Sequence, residues 1–108
     1  VQNPYLDDAS PAISFWAKKY KTKFNEDPTV FSVYGYNIVD TFAVAAGKAG
    51  ANLSTESFIR AMDTMKIPPG IFGSAEATFS PTKRLGSDAS RLSQITDGKW
   101  KPVSEYFK

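Results

Sequence analysis

The stretch from residue 30 to residue 50, VFSVYGYNIVDTFAVAAGKAG, constrains the fold more than any other part of the chain. Phe31, Tyr34, Ile38, Phe42, Ala45 and Ala49 recur every three or four residues, the spacing of one helix face. Val33, Val39, Val44 and Ala46 carry apolar character onto the other faces, leaving Asn37, Asp40 and Lys48 as a thin polar strip. A helix this apolar is expected to lie buried among other layers. Gly50 stands just past its end, where glycine takes a positive φ without steric cost. The small residues Ala43, Ala45, Ala46 and Gly47 let that end approach another backbone closely.

The flanking sequence supplies the rest of the elements. Residues 1–8 read as loop or extended chain, with Asn3-Pro4 as a turn signal and Asp7-Asp8 as polar loop residues. Ser10-Pro11 is a helix start, a hydroxyl N-cap followed by proline at the first helical position. Ile13, Trp16, Tyr20 and Phe24 then form a single stripe expected to be buried, and Lys18, Lys19, Lys21 and Lys23 occupy the remaining faces. Cations near the negative end of a helix dipole are more simply a solvated face than a phosphate-binding patch. Pro28 ends that helix by disfavouring helical geometry at Asp27.

After the long helix, Ser54 caps a third one, and Leu53 with Phe58 fits a hydrophobic staple across the cap. Phe58, Ile59, Met62 and Met65 give the third helix its apolar face. Asn52-Leu53-Ser54 also has the form of a glycosylation sequon, read here as coincidence at a loop–helix junction. Pro68-Pro69-Gly70 stops helix formation, and residues 73–79 alternate as one short strand. Ser80-Pro81 to Gly86 is a polar turn region. Asp97-Gly98 predicts a type I′ hairpin in which Ile95 faces Trp100 and Leu92 faces Val103 on the opposite side. Apolar pairs on both faces imply a sheet covered on both sides, and Tyr106 and Phe107 in the tail need a partner surface. No βαβ unit is completed within the 108 residues, and the central helix is too apolar for a few short strands to cover.

Composition limits the chemistry more sharply than it limits the fold. There is no cysteine and no histidine, which removes disulfides, thiolate zinc sites, cysteine nucleophiles and the commonest general base and metal ligand. No enzyme, no metal site and no cofactor is expected. The net charge of +2 argues neither for nor against an anionic partner. Asp40 and Lys48 interrupt the best apolar run before it reaches the ~20 residues that span a bilayer. The chain opens at Val1 without a charged-then-apolar leader, as either a processed protein or a piece of a longer one would.

Most motifs fail when tested. Gly47-Lys48-Ala49-Gly50 lacks the upstream glycine and following hydroxyl residue of a phosphate loop, and it ends a helix instead of starting one. The neighbouring carboxylates Asp7-Asp8 and Glu26-Asp27 do not have the opposed geometry of an acid/base pair. No spacing points to a Ser–Lys nucleophile. What remains is the start of the long helix, with Phe31, Ser32, Tyr34 and Tyr36. A helix N-terminus offers free amides and a positive dipole end to a polar or anionic ligand, and an aromatic ring beside it covers an apolar ligand group. Core packing is the competing account and, on the residues alone, the favoured one.

In order, the segments NPYLDDASPA, WAKKYKTKFNEDP, FSVYGYNIVDTFAVAAGKAG, STESFIRAMDTM, GIFGSAEATFSPTKR and SRLSQITDGKWKPV resemble one family. That family is the type I, or branched-chain amino-acid-type, periplasmic substrate-binding proteins of ABC transporters. The aromatic-x-x-Tyr-Gly-Tyr helix start and the DGKW hairpin are the most specific parts of the likeness. It covers essentially the whole chain but only the C-terminal third of such proteins, which implies a fragment or excised domain. The implied fold class is α/β, part of a two-lobed type I periplasmic-binding fold with three-layer α/β/α lobes. This chain would contribute three helices, then short strands and a C-terminal hairpin. Residues 1–28 would belong to the C-terminal lobe, residues 29–79 to the N-terminal lobe, and residues 80–108 to a returning hairpin. The apolar helix would then find its partners in absent sequence.

The resemblance also implies a function. Phe31 first, Ser32 second and Tyr34 third would line the cleft, while the groups that clamp a ligand carboxylate would lie outside this chain. The protein would be the extracytoplasmic solute-binding component of an ABC importer, closing two lobes on a small polar or amino-acid-like ligand. Amino acids, amides, urea and aromatic acids fit such a cleft. Its partners would be that small molecule and a membrane permease, with no nucleic acid, and the chain alone would self-associate. Its location would be periplasmic, or extracellular and membrane-anchored in a Gram-positive source. A ligand-sensing domain of the same fold in a receptor or regulator is the first alternative. An independent protein or nucleic-acid interaction module using the Lys-rich helix is the second.

Overall fold

The computed structural model describes residues 10–108, so the expectations for residues 1–8 lie outside the described residues. Three helices come first, α1 (Pro11–Phe24), α2 (Val30–Ala49) and α3 (Thr55–Thr64). Four short strands follow, β1 (Lys66–Ile67), β2 (Ala77–Thr78), β3 (Ser93–Thr96) and β4 (Lys99–Pro102). They form two separate antiparallel ribbons, β1 with β2 and β3 with β4. This is an α/β arrangement without a completed sheet layer, as expected for part of a periplasmic-binding fold.

Local chemistry sets the helix boundaries. Pro11 opens α1 at a position where its missing N–H costs nothing, although the Ser10 side chain does not make the expected cap bond. Asn25 ends the helix in the left-handed conformation at φ 55°, its N–H donating to Lys21 O at 2.8 Å. Ser54 caps α3 as the sequence predicts. Its hydroxyl accepts from the Ser57 N–H at 3.1 Å, and the Ser57 hydroxyl accepts from the Ser54 N–H at 2.9 Å. At the other end of α2, Gly50 takes φ 88° and donates to Ala46 O at 3.2 Å.

The core is small. Ile13 from α1, Val33 from α2 and Phe72 from the loop after β1 are buried together, with Trp16 packed against them. A second contact joins α2 to α3, where Phe42 and Phe58 stack with ring centroids 5.3 Å apart. Of the whole of α2, only Val33 and Ala45 are fully buried. Ile38 and Val39 stay about two-thirds exposed, so the burial expected of this helix is not reached within the chain. The same holds in α1, where Phe24 at the end of the apolar stripe is exposed. In α3, Ile59 is exposed, whereas Met65 lies just past the helix end and is buried.

The strands depart from the pattern in two ways. Only Ala77 and Thr78 of the 73–79 stretch form a strand, because Gly70 to Ser74 turn back before pairing begins. Their partner is Lys66–Ile67, a strand too short for alternation to reveal. The hairpin forms in the expected register, Ile95 opposite Trp100, with positive φ at both Asp97 and Gly98. Neither of its faces is covered, however, since Leu92, Ile95, Trp100 and Val103 are all more than half exposed.

The 78–86 turn is built around Lys83. Its ammonium donates to Thr78 O at 2.8 Å, to Thr78 Oγ1 at 3.2 Å and to Gly86 O at 2.9 Å. Gly86 also accepts the Thr78 N–H at 2.9 Å, and a Cβ placed on it would sit 2.9 Å from the Phe79 ring. The tail returns to the base of the hairpin through paired Ser90 and Phe107 backbones. Lys108 lies 3.1 Å from Asp88, and its hydrogen bond, with that of the Asp88 amide, holds the carboxyl below its ordinary value.

Candidate ligand-binding site

The first turn of α2 brings the three nominated residues onto one helix end. Thr29 precedes the helix with extended backbone, and Thr29 and Ser32 close a reciprocal capping box. In it the Ser32 hydroxyl accepts the Thr29 N–H at 3.1 Å, so this serine is first a helix-capping residue. The bond leaves the hydroxyl its own proton to donate. The amides of Val30 and Phe31, ahead of the box, have no acceptor among the described residues.

Phe31 and Tyr34 stand side by side on this turn. Their ring centroids are 6.0 Å apart at 63°, an edge-to-face contact. Phe31 is 76 % exposed and Tyr34 41 % exposed. Phe31 is thus not packed in the core of this chain, while Tyr36, at 39 %, is as exposed as Tyr34. Tyr36 differs in its contacts, with its ring edge-on to Trp16 at 5.8 Å and to Phe72 at 5.6 Å. The periodicity could not make that division, because all three aromatics fall within one and a half turns.

The arrangement is one wall, with no opposing surface from the described residues. It brings together two aromatic rings, a hydroxyl and two amides that have no acceptor among the described residues. That combination suits a ligand with an apolar portion and a polar or anionic head. It has no group poised for acid/base or nucleophilic work, and among the described residues no three His, Cys, Asp or Glu side chains gather as a metal site.

A shallow depression of about 280 Å³ lies at the far end of α2, lined by Lys48, Ala49, Ser57, Arg60, Ala61 and Thr64. Sequence reading missed it, because Lys48 and Arg60 come from different helices and neither carries a motif. The hydroxyls there are committed to the helices themselves, Ser57 to the α3 cap and Thr64 to Arg60 O at 3.0 Å. It is open and well separated in sequence from the α2 start.

Among the described residues, no helix is long and apolar enough to cross a membrane. Comparison with curated proteins gave no match, and neither did comparison with solved structures. A family model described as periplasmic binding protein matches residues 1–99. Proteins of this kind bind solutes outside the cytoplasm and are typically not enzymes. With the match spanning nearly all of its length, the chain belongs to the periplasmic binding protein family.

Proposed function

We propose that this chain is the C-terminal part of the solute-binding component of an ABC importer, with the first turn of α2 as one wall of its cleft. The observation that carries the reading is the exposed Phe31–Tyr34 pair at the N-terminal end of α2, in a chain of this family. Exposed aromatic rings at a dipole end are costly to leave in water and useful against a ligand. Phe31 and Tyr34 would cover the apolar part of the solute, and Ser32 would offer its hydroxyl from the cap. The solute is a small amino acid, amide or aromatic acid, delivered to a membrane permease after two lobes close on it. In this reading, residues 10–28 sit in the C-terminal lobe, 29–79 in the N-terminal lobe and 80–108 return, so the chain alone holds half a cleft.

The test is calorimetry on the intact gene product against a panel of amino acids, amides, urea and aromatic acids. At least one should bind, and Phe31→Ala or Tyr34→Ala should weaken it about tenfold or more, equivalent to about 1.4 kcal/mol. Phe24→Ala, at a residue also exposed but on α1, should leave affinity unchanged. The 108 residues alone should bind the same solute weakly or not at all. Micromolar binding by the isolated chain, or indifference of the intact protein to Phe31→Ala and Tyr34→Ala, would overturn the assignment.

A further inference from the structure

Phe72 is the ring on which α1 and α2 meet. It is buried with Ile13 and Val33, edge-on to Trp16 of α1 at 4.9 Å and to Tyr36 of α2 at 5.6 Å. It is delivered by a tight turn in which the Gly73 N–H donates to Gly70 O at 3.0 Å. Gly73 has φ 71°, a conformation that side-chain-bearing residues rarely adopt. The carbonyl of this same glycine accepts the phenol of Tyr106 at 2.7 Å, from 33 residues away.

Tyr106 is itself well held. Phe107 exchanges two backbone hydrogen bonds with Ser90, of 2.7 and 2.8 Å, which fixes the stem of the tail. The Arg91 guanidinium lies over the Tyr106 ring, 4.9 Å from its centroid, and fixes the ring. The Ser90–Phe107 pair already orders the tail, so the phenol bond is an added constraint, and it falls on the residue next to the wedge. We infer that Tyr106 is a positioning residue: it holds the Gly70–Gly73 turn so that Phe72 stays wedged between α1 and α2, which sets the attitude of the first turns of α2. That these turns line a solute cleft rests on the function proposed above; the wedge itself does not.

The test reads the wedge without any solute. The chain has two tryptophans, and Trp100 is exposed on β4, so a Trp100→Phe background leaves Trp16 as the sole reporter. In that background, Tyr106→Phe keeps the ring under Arg91 and removes only the hydroxyl. Trp16 emission should shift to the red and become more accessible to acrylamide. Exchange of the Gly73 amide should accelerate about fivefold, the change in open population that one such hydrogen bond supports. The Met65 amide, bonded to Ala61 O at the end of α3, should exchange as before. Gly73→Ala should give the same Trp16 shift by straining the turn, and combining it with Tyr106→Phe should add little. Unchanged Trp16 emission and Gly73 exchange in Tyr106→Phe would overturn the inference. So would equal acceleration at Met65, which would mark a global loss of stability, or additive effects of the two variants. None of these outcomes bears on whether Phe31 and Tyr34 bind a solute.

Discussion

Single residues carry this structure where backbone and side chain come close. Gly86 is the clearest case: its φ is ordinary, but the Phe79 ring and the Ala77 methyl leave no room for a Cβ. The Lys83 ammonium also binds its carbonyl, so the turn cannot relax away without losing that bond. Gly86→Ala is expected to destabilise the chain by about 1–3 kcal/mol, the usual cost of overpacking, read from urea unfolding. The nominated site residues behave oppositely. Phe31 makes one ring contact and is mostly in water, so its side chain is spent on neither core nor cap. Ser32 has a structural duty in the capping box, which is why loss of binding in a Ser32 variant would be ambiguous where loss in Phe31→Ala would not.

At the scale of elements, the helices and the β3–β4 hairpin are specified locally and the β1–β2 pairing is not. The α3 helix is only 10 residues long, too short to be stable alone, so its cap and its stack against α2 must both contribute. Ser54→Ala removes the acceptor of the Ser57 N–H and disturbs the reciprocal bond; it should cost about 1 kcal/mol of helix stability by circular dichroism on heating. The α2 helix divides its packing between two neighbours. Its N-terminal half meets α1 and Phe72 through Val33 and Tyr36, and its C-terminal half meets α3 through Phe42. Ile38 and Val39 between them face neither. Two ribbons of two to four residues per strand offer too little surface to cover them.

The molecule as a whole is correspondingly open. Its radius of gyration is 15.8 Å, against about 13 Å for a compact domain of this length. Ile38 and Val39 on α2, with Leu92, Ile95, Trp100 and Val103 on the hairpin, are exposed apolar side chains on two separate elements. Surface of that kind calls for a covering partner or produces association. The isolated chain is therefore expected to sediment as concentration-dependent oligomers and to bind a hydrophobic dye; a monodisperse monomer over a wide concentration range would contradict this. In a longer protein of the same family, the same faces would be interior.

The sequence by itself determined what short-range chemistry determines. Pro11, Ser54 and Gly50 mark helix ends because caps depend on neighbours within four residues, and Asp97-Gly98 sets the hairpin register because a two-residue turn permits one register. The absence of histidine and cysteine narrowed the chemistry without any coordinates. Long-range contacts were not legible. Lys66–Ile67 pairs with Ala77–Thr78 through two residues on each side, below the length at which alternation carries a signal. The Tyr106–Gly73 bond joins positions 33 residues apart and has no local signature. Periodicity also could not tell Tyr34 from Tyr36, since a helix apolar all round gives no inward direction. Only the tertiary contacts tell them apart: the Tyr36 ring lies edge-on to Phe72 and Trp16 and the Tyr34 ring against Phe31, while both tyrosines stay about two-fifths exposed.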